Sequence, residues 1–454
     1  MNLNEKIFRE YDIRGVADRD LPDNLVLAIA RSIGTLAKQR GTKTFTVGRD
    51  CRVSSVRIHD AMIQGLLESG IDVIDVGLVP TPLLYFSIHS LNTDGGVMIT
   101  GSHNPGDHNG LKVCIGPSTI HGGDIQTIKQ MTLDENWTSG QGTLSKVAIV
   151  DDYINYVSAQ IKEPLGITVV IDSGNGMAGM VAPQLLRKIG CTVVDLYSEL
   201  DGTFPNHHPD PTVVENLVEL RKAVKASNAV VGIGFDGDAD RIGVVDKNLE
   251  VIFGDELLML YSREVLKTHP GAVIISEVKA SNRLFQDIKS HGGRPILWKT
   301  GHSLIKAKMK EENALLAGEM SGHMFFKDRY FGFDDAIYAA VRLVEILAKY
   351  DATAKELLSD IPLSYSTPEI RVNCSDDIKF DIVEKAKAAF LAMGQIVNGI
   401  DGARVEFGTG WGLVRASNTQ PVLVYRFEAD TPEELTLIQE TVENTVNTLL
   451  IASS

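Results

Sequence analysis

Cysteine is scarce in this sequence, and the few cysteines do not cluster. The 454 residues contain four of them. They are Cys51, Cys114, Cys191 and Cys374. Structural zinc sites and disulfide frameworks rely on closely spaced cysteines, and no CxxC pair is present. We therefore expect neither feature and predict free thiols in a reducing compartment.

Long apolar runs are also missing. No stretch approaches the roughly 20 apolar residues that a membrane-spanning helix needs. The first residues, with the sequence MNLNEK, have neither a basic start nor the apolar segment of a signal peptide. The sequence therefore predicts a cytoplasmic location.

The third absence is a basic run. Lysine and arginine number 44 against 59 aspartates and glutamates, which gives a formal net charge of −15. An acidic surface repels nucleic acid and anionic membranes, so we expect neither as a partner. We separately expect a small-molecule partner and a monomer or weak homo-oligomer. If the substrate is an anion, positive charge must be concentrated in a cleft.

The chain is too long for one core and predicts three or four domains of about 100–150 residues. Short β-rich runs alternate with amphipathic stretches, which indicates an α/β fold. A strand–helix–strand unit recurs three times, at intervals typical of tandem domains. The predicted units are 44–48, 54–69 and 71–76; 167–172, 177–189 and 191–196; and 272–276, 281–290 and 294–298.

The C-terminal part follows a different pattern. A strand is predicted at 370–374, a helix at 377–392, β-rich segments at 404–407 and 422–429, and a final helix beginning near Thr431 and Pro432. This order indicates an α+β domain. The predicted domain boundaries are 1–150, 151–253, 254–366 and 367–454.

A candidate nucleophile lies at residues 100–105, with the sequence TGSHNP, after an apolar strand. Serine needs activation or prior phosphorylation to act as a nucleophile, and Ser102 is flanked by residues that favour a tight loop. Taken alone, the segment is more typical of a plain polar turn.

A candidate metal site follows at residues 236–241, with the sequence DGDADR. Asp236, Asp238 and Asp240 occupy alternate positions, from which three carboxylates can converge on one hard cation. An EF-hand would need glycine and glutamate where Arg241 and Lys247 stand. Oxygen-only ligands favour magnesium. The alternative is a solvated acidic turn.

Two further loops carry groups suited to a sugar phosphate. In GEMSGH (318–323), Glu319 and Ser321 can point the same way and bind neighbouring sugar hydroxyls. In RASNTQP (415–421), between two predicted strands, an arginine fork and hydroxyls can bind phosphate. A loop without special role and a hairpin turn are the alternatives. Further cationic candidates are Arg14, Lys279 and His302.

A rival function arises at residues 174–179, GNGMAG, which satisfy GxGxxG between a predicted strand and helix. Asp195 follows the next strand, as in nicotinamide-dependent dehydrogenases. However, the segment occupies the same place in the repeat as segments without the motif. We therefore predict a structural strand-to-helix turn.

Taken together, the four loops, in this order and near this spacing, resemble the α-D-phosphohexomutase family, and within it the bacterial phosphomannomutase/phosphoglucomutase type. The resemblance covers essentially the whole chain. It implies three α/β domains with mixed sheets and a C-terminal α+β domain of TATA-binding-protein-like topology. These would surround a central cleft, with one loop contributed by each domain.

The resemblance also implies roles for individual residues. Ser102 would be the phosphoserine and, with Asp236, Asp238 and Asp240, would bind Mg²⁺. Glu319 and Ser321 would bind the sugar. The distal phosphate would lie on Arg415, Ser417, Asn418 and Thr419. The cleft would also be lined by Arg14, His103, Lys112, Arg241, Lys279, His302 and His323. One departure is Gly101, where the family commonly has alanine; we expect glycine to loosen the loop without changing its chemistry.

The implied reaction interconverts hexose 1-phosphate and hexose 6-phosphate, of mannose and of glucose. Phosphate passes from Ser102 to the sugar and back through a hexose 1,6-bisphosphate, which would also be the activator. Lys112, ahead of His323, is the candidate acid/base. A noncatalytic sugar-phosphate-binding protein and a phosphoglucosamine mutase are the remaining alternatives.

Overall fold

The computed structural model describes residues 3–418 and 420–453, which form four sheets with helices packed around them. The strands of the first sheet are β1 (Ile13–Val16), β2 (Thr44–Arg49), β3 (Asp72–Leu78), β4 (Gly95–Ile99), β5 (His108–Ile115) and β6 (Leu144–Lys146). They lie in the order β1-β5-β4-β2-β3-β6. The central pairs are parallel, whereas β5 is antiparallel to β1 and β4, so the sheet is mixed, as predicted.

The helices of this region alternate with the strands. They are α1 (Ala17–Asp20), α2 (Asp23–Gln39), α3 (Ser55–Glu68), α4 (Thr81–Ser90), α5 (Gly123–Leu133) and α6 (Val150–Ser158). In α2, Leu25, Ile29 and Ile33 recur at the spacing of one helical face and are buried. This face and α3 belong to the core that covers the first sheet.

The second sheet repeats the arrangement with fewer strands. Its elements are β7 (Thr168–Asp172), α7 (Ala182–Lys188), β8 (Thr192–Leu196), α8 (Val218–Ser227), β9 (Val231–Phe235), β10 (Ile242–Asp246) and β11 (Val251–Ile252). The strand order is β11-β10-β9-β7-β8, with β7 parallel to β8 and β9. The predicted helix 177–189 is wrong in part. Residues Met177–Met180 form a 3₁₀ turn, and α7 starts after Val181 with Pro183 in its first turn.

The third sheet is again mixed. Its elements are α9 (Gly254–Thr268), β12 (Val273–Glu277), α10 (Asn282–Ser290), β13 (Arg294–Trp298), α11 (His302–Glu312), β14 (Leu316–Gly318), β15 (Met324–Phe326), α12 (Ala336–Tyr350) and α13 (Ala354–Leu357). Strand β12 is parallel to β13 and β14, and β15 is antiparallel to β14. The first and third predicted strand–helix–strand units are confirmed by β2-α3-β3 and β12-α10-β13.

The last sheet is antiparallel, with two helices. Its elements are β16 (Tyr365–Ser366), β17 (Ile370–Asn373), α14 (Lys379–Ala392), β18 (Ile396–Asn398), β19 (Ala403–Glu406), β20 (Gly410–Ala416), β21 (Val422–Ala429) and α15 (Pro432–Ser453). Its strands lie in the order β16-β21-β20-β19-β18, and β17 also pairs with β21. The hydroxyl of Thr431 accepts from the Glu434 amide at 3.2 Å, as predicted for a helix start.

One feature of these sheets positions the candidate site. In each mixed sheet, one strand (β4, β9 or β14) runs parallel to the first strand of the repeated unit and then turns back into an antiparallel neighbour. The serine, aspartate and Glu-Met-Ser loops are these three turns. The fourth loop is the β20–β21 turn, and Thr419 within it lies outside the described residues.

The second and third sheets share a single hydrophobic core. It extends from Leu83 and Tyr153 through Ile171 and Val231 to Ile274 and residues of α12. The last sheet has a separate core that includes Phe390 and Phe427. The three mixed sheets therefore meet at a shared interior. Among the described residues, no helix has both the length and the apolar character required to cross a membrane.

The glycines of GNGMAG lie against protein backbone. A Cβ at Gly176 would lie 2.8 Å from the Gly237 carbonyl oxygen, and one at Gly179 would overlap the Ser198 carbonyl oxygen. Asp195 pairs with Arg187, their charged atoms 2.6 Å apart. Glycine is needed at these positions because the loop packs closely against neighbouring backbone. This supports the prediction that GNGMAG is a structural strand-to-helix turn.

Gly179→Ala should therefore destabilise the protein. The new methyl group would overlap Ser198, and overpacking of this kind costs about 1–3 kcal/mol. We expect a lower melting temperature in differential scanning calorimetry. Gly123→Ala is the matched control, because a Cβ at this first residue of α5 would meet nothing within 4 Å. Equal melting temperatures for the two variants would contradict the packing role.

Candidate active site

Ser102 lies in the tight turn between β4 and β5 and is 2% exposed. Its φ of 49° places a non-glycine residue in the left-handed region, a conformation that the surroundings must enforce. Its amide donates to Thr100 Oγ1 at 2.9 Å. Its hydroxyl donates to Asp236 Oδ2 at 2.7 Å and lies 3.2 Å from His103 Nδ1. The serine hydroxyl therefore points at the aspartate loop.

The aspartate loop touches the serine loop directly. A Cβ at Gly237 would overlap the Ser102 carbonyl oxygen, so only glycine permits this approach. Within the loop, Asp236 Oδ1 accepts from the amides of Asp240 and Arg241 at 3.0 and 3.1 Å. These bonds curl the turn between β9 and β10 so that its alternate carboxylates face one point.

The three carboxylates fit a metal ion. Ligand atoms of Asp236, Asp238 and Asp240 lie within 4.8 Å of one another, and all three residues are fully buried. Within the described part of the chain, Oδ1 of Asp238 has no hydrogen-bond donor, and Oδ1 of Asp240 lies 3.3 Å from His323 Nε2. Burial, together with the charges of Asp238 and Asp240, raises the pKa of Asp236 well above its usual range. A cation bound here would satisfy these oxygens.

Lys112 on β5 supplies the nearest positive charge. Its Nζ lies 2.7 Å from Asp238 Oδ2 and also donates to Asp240 Oδ2. Burial lowers the pKa of this ammonium, but the charges of Asp238 and Asp240 outweigh burial and raise the pKa above its usual range. Thr81 at the start of α4 donates to the same oxygen of Asp238 at 2.5 Å. Lys112 is therefore a cation held by the metal-binding loop.

The third loop brings Glu319 and Ser321 onto one histidine. Glu319 Oε2 and Ser321 Oγ each lie 2.9 Å from His323 Nδ1. The other oxygen of Glu319 accepts from the Gly301 amide at 2.7 Å. The two side chains therefore point the same way, as the spacing predicts.

His323 joins the third loop to the aspartate loop. Its Nε2 lies 3.3 Å from both Asp240 Oδ1 and Arg241 Nε. Burial lowers the pKa of His323, but Asp240 and Glu319 outweigh burial and raise it to about 9. The ring of His302 lies 5.7 Å away, centroid to centroid. Burial and nearby lysines hold the pKa of His302 well below its usual range.

The fourth loop presents Arg415, which is 6% exposed. Its Nε donates to Asp401 Oδ2 at 3.0 Å, and Asp401 also accepts from the Thr300 amide at the same distance. Asn418 donates to the Tyr11 hydroxyl at 2.6 Å, and that hydroxyl donates to the Thr300 carbonyl at 2.8 Å. The loop is therefore tied to the first and third sheets.

Two other predicted cations form ion pairs with carboxylates. Arg14 lies 2.6 Å from Asp12 and donates to the Asn104 side chain at 3.2 Å. Lys279 lies 2.9 Å from Glu369. Together with Arg241, Lys112 and Arg415, they place cationic side chains in the interior of an acidic protein, each near a carboxylate.

Several buried groups at the site were not predicted from the sequence. They include Tyr11, Asp50, Arg52, Thr81 and Asp334, together with the half-buried Thr300 and Asp401. A signal existed for Asp50 and Arg52, because they directly follow the buried strand β2, as Ser102 follows β4. Charged residues immediately after a buried strand lie at the edge of a sheet where ligands bind.

The expectation that Gly101 loosens its loop is wrong. A Cβ at Gly101 would lie 2.5 Å from Cζ of Arg52, so the guanidinium occupies the space that a side chain would need. That guanidinium bonds to the loop, including the Ser102 carbonyl at 2.7 Å. Glycine here therefore allows the loop to be held more closely.

Comparisons with known proteins agree with this geometry. Four models of "Phosphoglucomutase/phosphomannomutase" match: alpha/beta/alpha domains I, II and III over residues 5–138, 151–250 and 253–365, and the C-terminal domain over 369–445. A phosphomannomutase/phosphoglucomutase of Pseudomonas aeruginosa is 48% identical over 97% of this chain and 96% of its own. A phosphoglucomutase of Neisseria gonorrhoeae is 44% identical over 96% of each.

A solved structure is also similar. The crystal structure of a phosphoglucomutase/phosphomannomutase family protein from Burkholderia thailandensis superposes with a TM-score of 0.93 at 41% identity, covering 98% of each chain.

The charge arrangement predicts opposite effects for two isosteric substitutions in metal-free protein. Asp236→Asn removes a charge that two neighbouring carboxylates oppose, so it should raise the free energy of unfolding by about 1 kcal/mol. Asp238→Asn removes a charge paired with Lys112 at 2.7 Å and should destabilise the protein. Thermal melts in excess chelator compare the two variants. A rise in melting temperature for Asp238→Asn alone would contradict this distribution of charge.

Proposed function

The chain belongs to the phosphoglucomutase/phosphomannomutase family, and we propose that it interconverts hexose 1-phosphates and hexose 6-phosphates of mannose and glucose through a phosphorylated Ser102. The observation that carries this proposal is the contact between two loops from different sheets. The buried hydroxyl of Ser102 lies 2.7 Å from Asp236 Oδ2, beside a triad of carboxylates that can hold a metal ion. A nucleophile and a cation site are thus adjacent.

In the proposed first half-reaction, the free hydroxyl of the bound hexose phosphate attacks phosphorus on Ser102. The bond from phosphorus to Ser102 Oγ breaks, a bond to the sugar oxygen forms, and the hydroxyl proton passes to a base. The product is a hexose 1,6-bisphosphate. After it turns around, Ser102 Oγ attacks its other phosphorus, and the sugar oxygen takes back a proton.

Lys112 and His323 are the two groups that we assign to the proton. Both contact the carboxylates of the triad, and that contact raises the pKa of each in metal-free protein. A cation on the triad would offset this attraction and free either group to accept a proton. His103, 3.2 Å from Ser102 Oγ, and Arg241, beside His323, complete the proposed catalytic set.

Asp236, Asp238 and Asp240 would hold Mg²⁺, with the phosphate of Ser102 as a further ligand. The donor set of oxygens alone favours magnesium over softer metals. When bound, the ion would offset negative charge on the transferring phosphoryl group.

The distal phosphate would lie on Arg415, Ser417 and Asn418, with Thr419 as in the family. Asp401 fixes the orientation of the Arg415 guanidinium through Nε at 3.0 Å. Arg14, Lys279 and His302 would line the path between the two phosphate positions. We extend the proposal to a cytoplasmic enzyme, monomeric or weakly oligomeric, activated by hexose 1,6-bisphosphate.

The first test concerns the serine. Active enzyme should carry phosphate on Ser102, detectable by mass spectrometry of the tryptic peptide. Ser102→Ala should lose nearly all turnover because the nucleophile is removed, and its melting temperature should fall only slightly, because Asp236 Oδ2 loses one donor. Ser364→Ala is the control, since in the described chain Ser364 Oγ has no hydrogen-bond partner. Full activity of Ser102→Ala would refute the mechanism.

The second test concerns the sugar. The bisphosphate must bind in two orientations related by a half-turn, which exchanges the 3- and 4-hydroxyls and leaves the 2-hydroxyl without an equivalent. If Glu319 and Ser321 hold the 3- and 4-hydroxyls, the enzyme should discriminate little between the two configurations at C2. Mannose and glucose 1-phosphates should then have kcat/KM values within roughly tenfold, a gap of about 1.4 kcal/mol.

Galactose 1-phosphate, altered at C4, should be a much poorer substrate, because a buried carboxylate would lose its partner. Steady-state kinetics on the three compounds, with glucosamine 1-phosphate as a fourth, measure this. A thousandfold preference for mannose over glucose would show that C2 is read. A preference for glucosamine 1-phosphate would instead indicate a phosphoglucosamine mutase.

A further inference from the structure

Arg52 is a buried cation with no role in the cycle described above. Its side chain is 0% exposed, and it belongs to the largest fully buried side chains of the protein. It lies in the turn between β2 and α3, directly beneath the serine loop. Burying an arginine is costly unless its charge is paired and its donors are used. The contacts of this side chain therefore indicate what it stabilises.

The guanidinium donates almost entirely to the backbone of the serine loop. Nη2 donates to the carbonyls of Ser102 and Asn104 at 2.7 and 2.6 Å. Nη1 donates to the carbonyls of Pro105 and His108 at 2.5 and 3.0 Å. One planar group thus holds three carbonyls of the serine loop and the carbonyl of the first residue of β5.

Three neighbours keep the guanidinium in place. Asp50 Oδ2 lies 3.2 Å from Nε and also accepts from the Gly101 amide at 3.2 Å. The ring of Phe204, from the second sheet's region, lies 5.0 Å from Cζ. Gly101 presents no side chain, and a Cβ there would overlap the guanidinium. Arg52 is therefore enclosed between the serine loop and the neighbouring domain.

This arrangement bears directly on Ser102. The left-handed φ of 49° is a conformation that costs about 1–3 kcal/mol and persists only where the surroundings enforce it. Arg52 holds the carbonyl of Ser102 and the carbonyl of Asn104, on either side of His103. With these carbonyls bound from beneath, the Ser102 hydroxyl faces Asp236.

We propose that Arg52 is a positioning residue for phosphoryl transfer, which sets the direction of Ser102 Oγ by binding the carbonyls of its loop; this inference rests on the proposed function. Arg52 should therefore affect the transfer of phosphate to and from Ser102 and not the binding of the substrate. Arg415 and Asn418, which would bind the distal phosphate, contact other groups altogether. Loss of Arg52 should therefore lower kcat and leave KM nearly unchanged.

The test is Arg52→Lys, which keeps the charge but cannot donate to four carbonyls from one plane. We expect kcat for glucose 1-phosphate to fall about 30- to 100-fold, as for a displaced reactive group, with KM within about threefold. Ser102 phosphate, measured by mass spectrometry after incubation with glucose 1,6-bisphosphate, should form correspondingly more slowly.

Arg57→Lys is the matched control. Arg57 lies on α3 and also makes several bonds, to the Leu21 carbonyl, Asp23 and Asp18, but on the outer surface. It should keep kcat within about twofold of wild type.

The outcomes separate the two proposals. A wild-type enzyme without mutase activity or Ser102 phosphate would overturn the proposed function and this inference with it. If the wild type is active and Arg52→Lys has the same kcat as Arg57→Lys, only the role of Arg52 is overturned. An effect of Arg52→Lys on KM alone, with kcat unchanged, would also overturn that role. If Arg52→Lys does not fold, Phe204→Leu decides. Uncovering the guanidinium should lower kcat about two- to fivefold at constant KM, and an unchanged kcat would overturn the inference.

Discussion

The burial of three carboxylates in one turn is the constraint on which the rest of this site depends. Asp236, Asp238 and Asp240 are fully buried, and burial together with their mutual repulsion raises the pKa of Asp236. A fold can retain such a cluster only if other elements deliver positive charge and donors to it. Lys112 comes from the first sheet, His323 from the third, and the Ser102 hydroxyl from a separate loop. A divalent cation would complete this compensation.

The same constraint explains why several sheets must cooperate. The aspartate loop contains one cation of its own, Arg241, whose single charge cannot balance three carboxylates, so further cations come from other sheets. In each mixed sheet, one buried strand ends at the shared interior. The carboxyl ends of parallel strands leave a crevice there. The protein can therefore be acidic overall, with a net charge of −15, and still concentrate arginine, lysine and histidine in one interior region. The hydrogen bonds of Tyr11 and Asp401 bring the last sheet to that region.

Much of this could be predicted from the sequence, since local patterns determine it. Apolar strands followed by short polar loops located Ser102, the aspartates and Glu319, and the alternation of strand and helix marked the repeated units. What escaped prediction depends on contacts distant in the chain. The position of Arg52 after a buried strand marks an edge of the sheet, but its role depends on hydrogen bonds to carbonyls around fifty residues away. The helix break near Pro183 and the true role of Gly101 likewise depend on their neighbours in space.

In the proposed reaction, phosphate passes between Ser102 and the sugar without release to water. Enzyme carrying radiolabelled phosphate on Ser102 can be isolated and mixed with unlabelled glucose 1-phosphate and Mg²⁺ in a single turnover. We expect the label to leave the protein and to be found first in glucose 1,6-bisphosphate and then in glucose 6-phosphate. Label recovered as inorganic phosphate, or retained on the protein while product forms, would contradict the account.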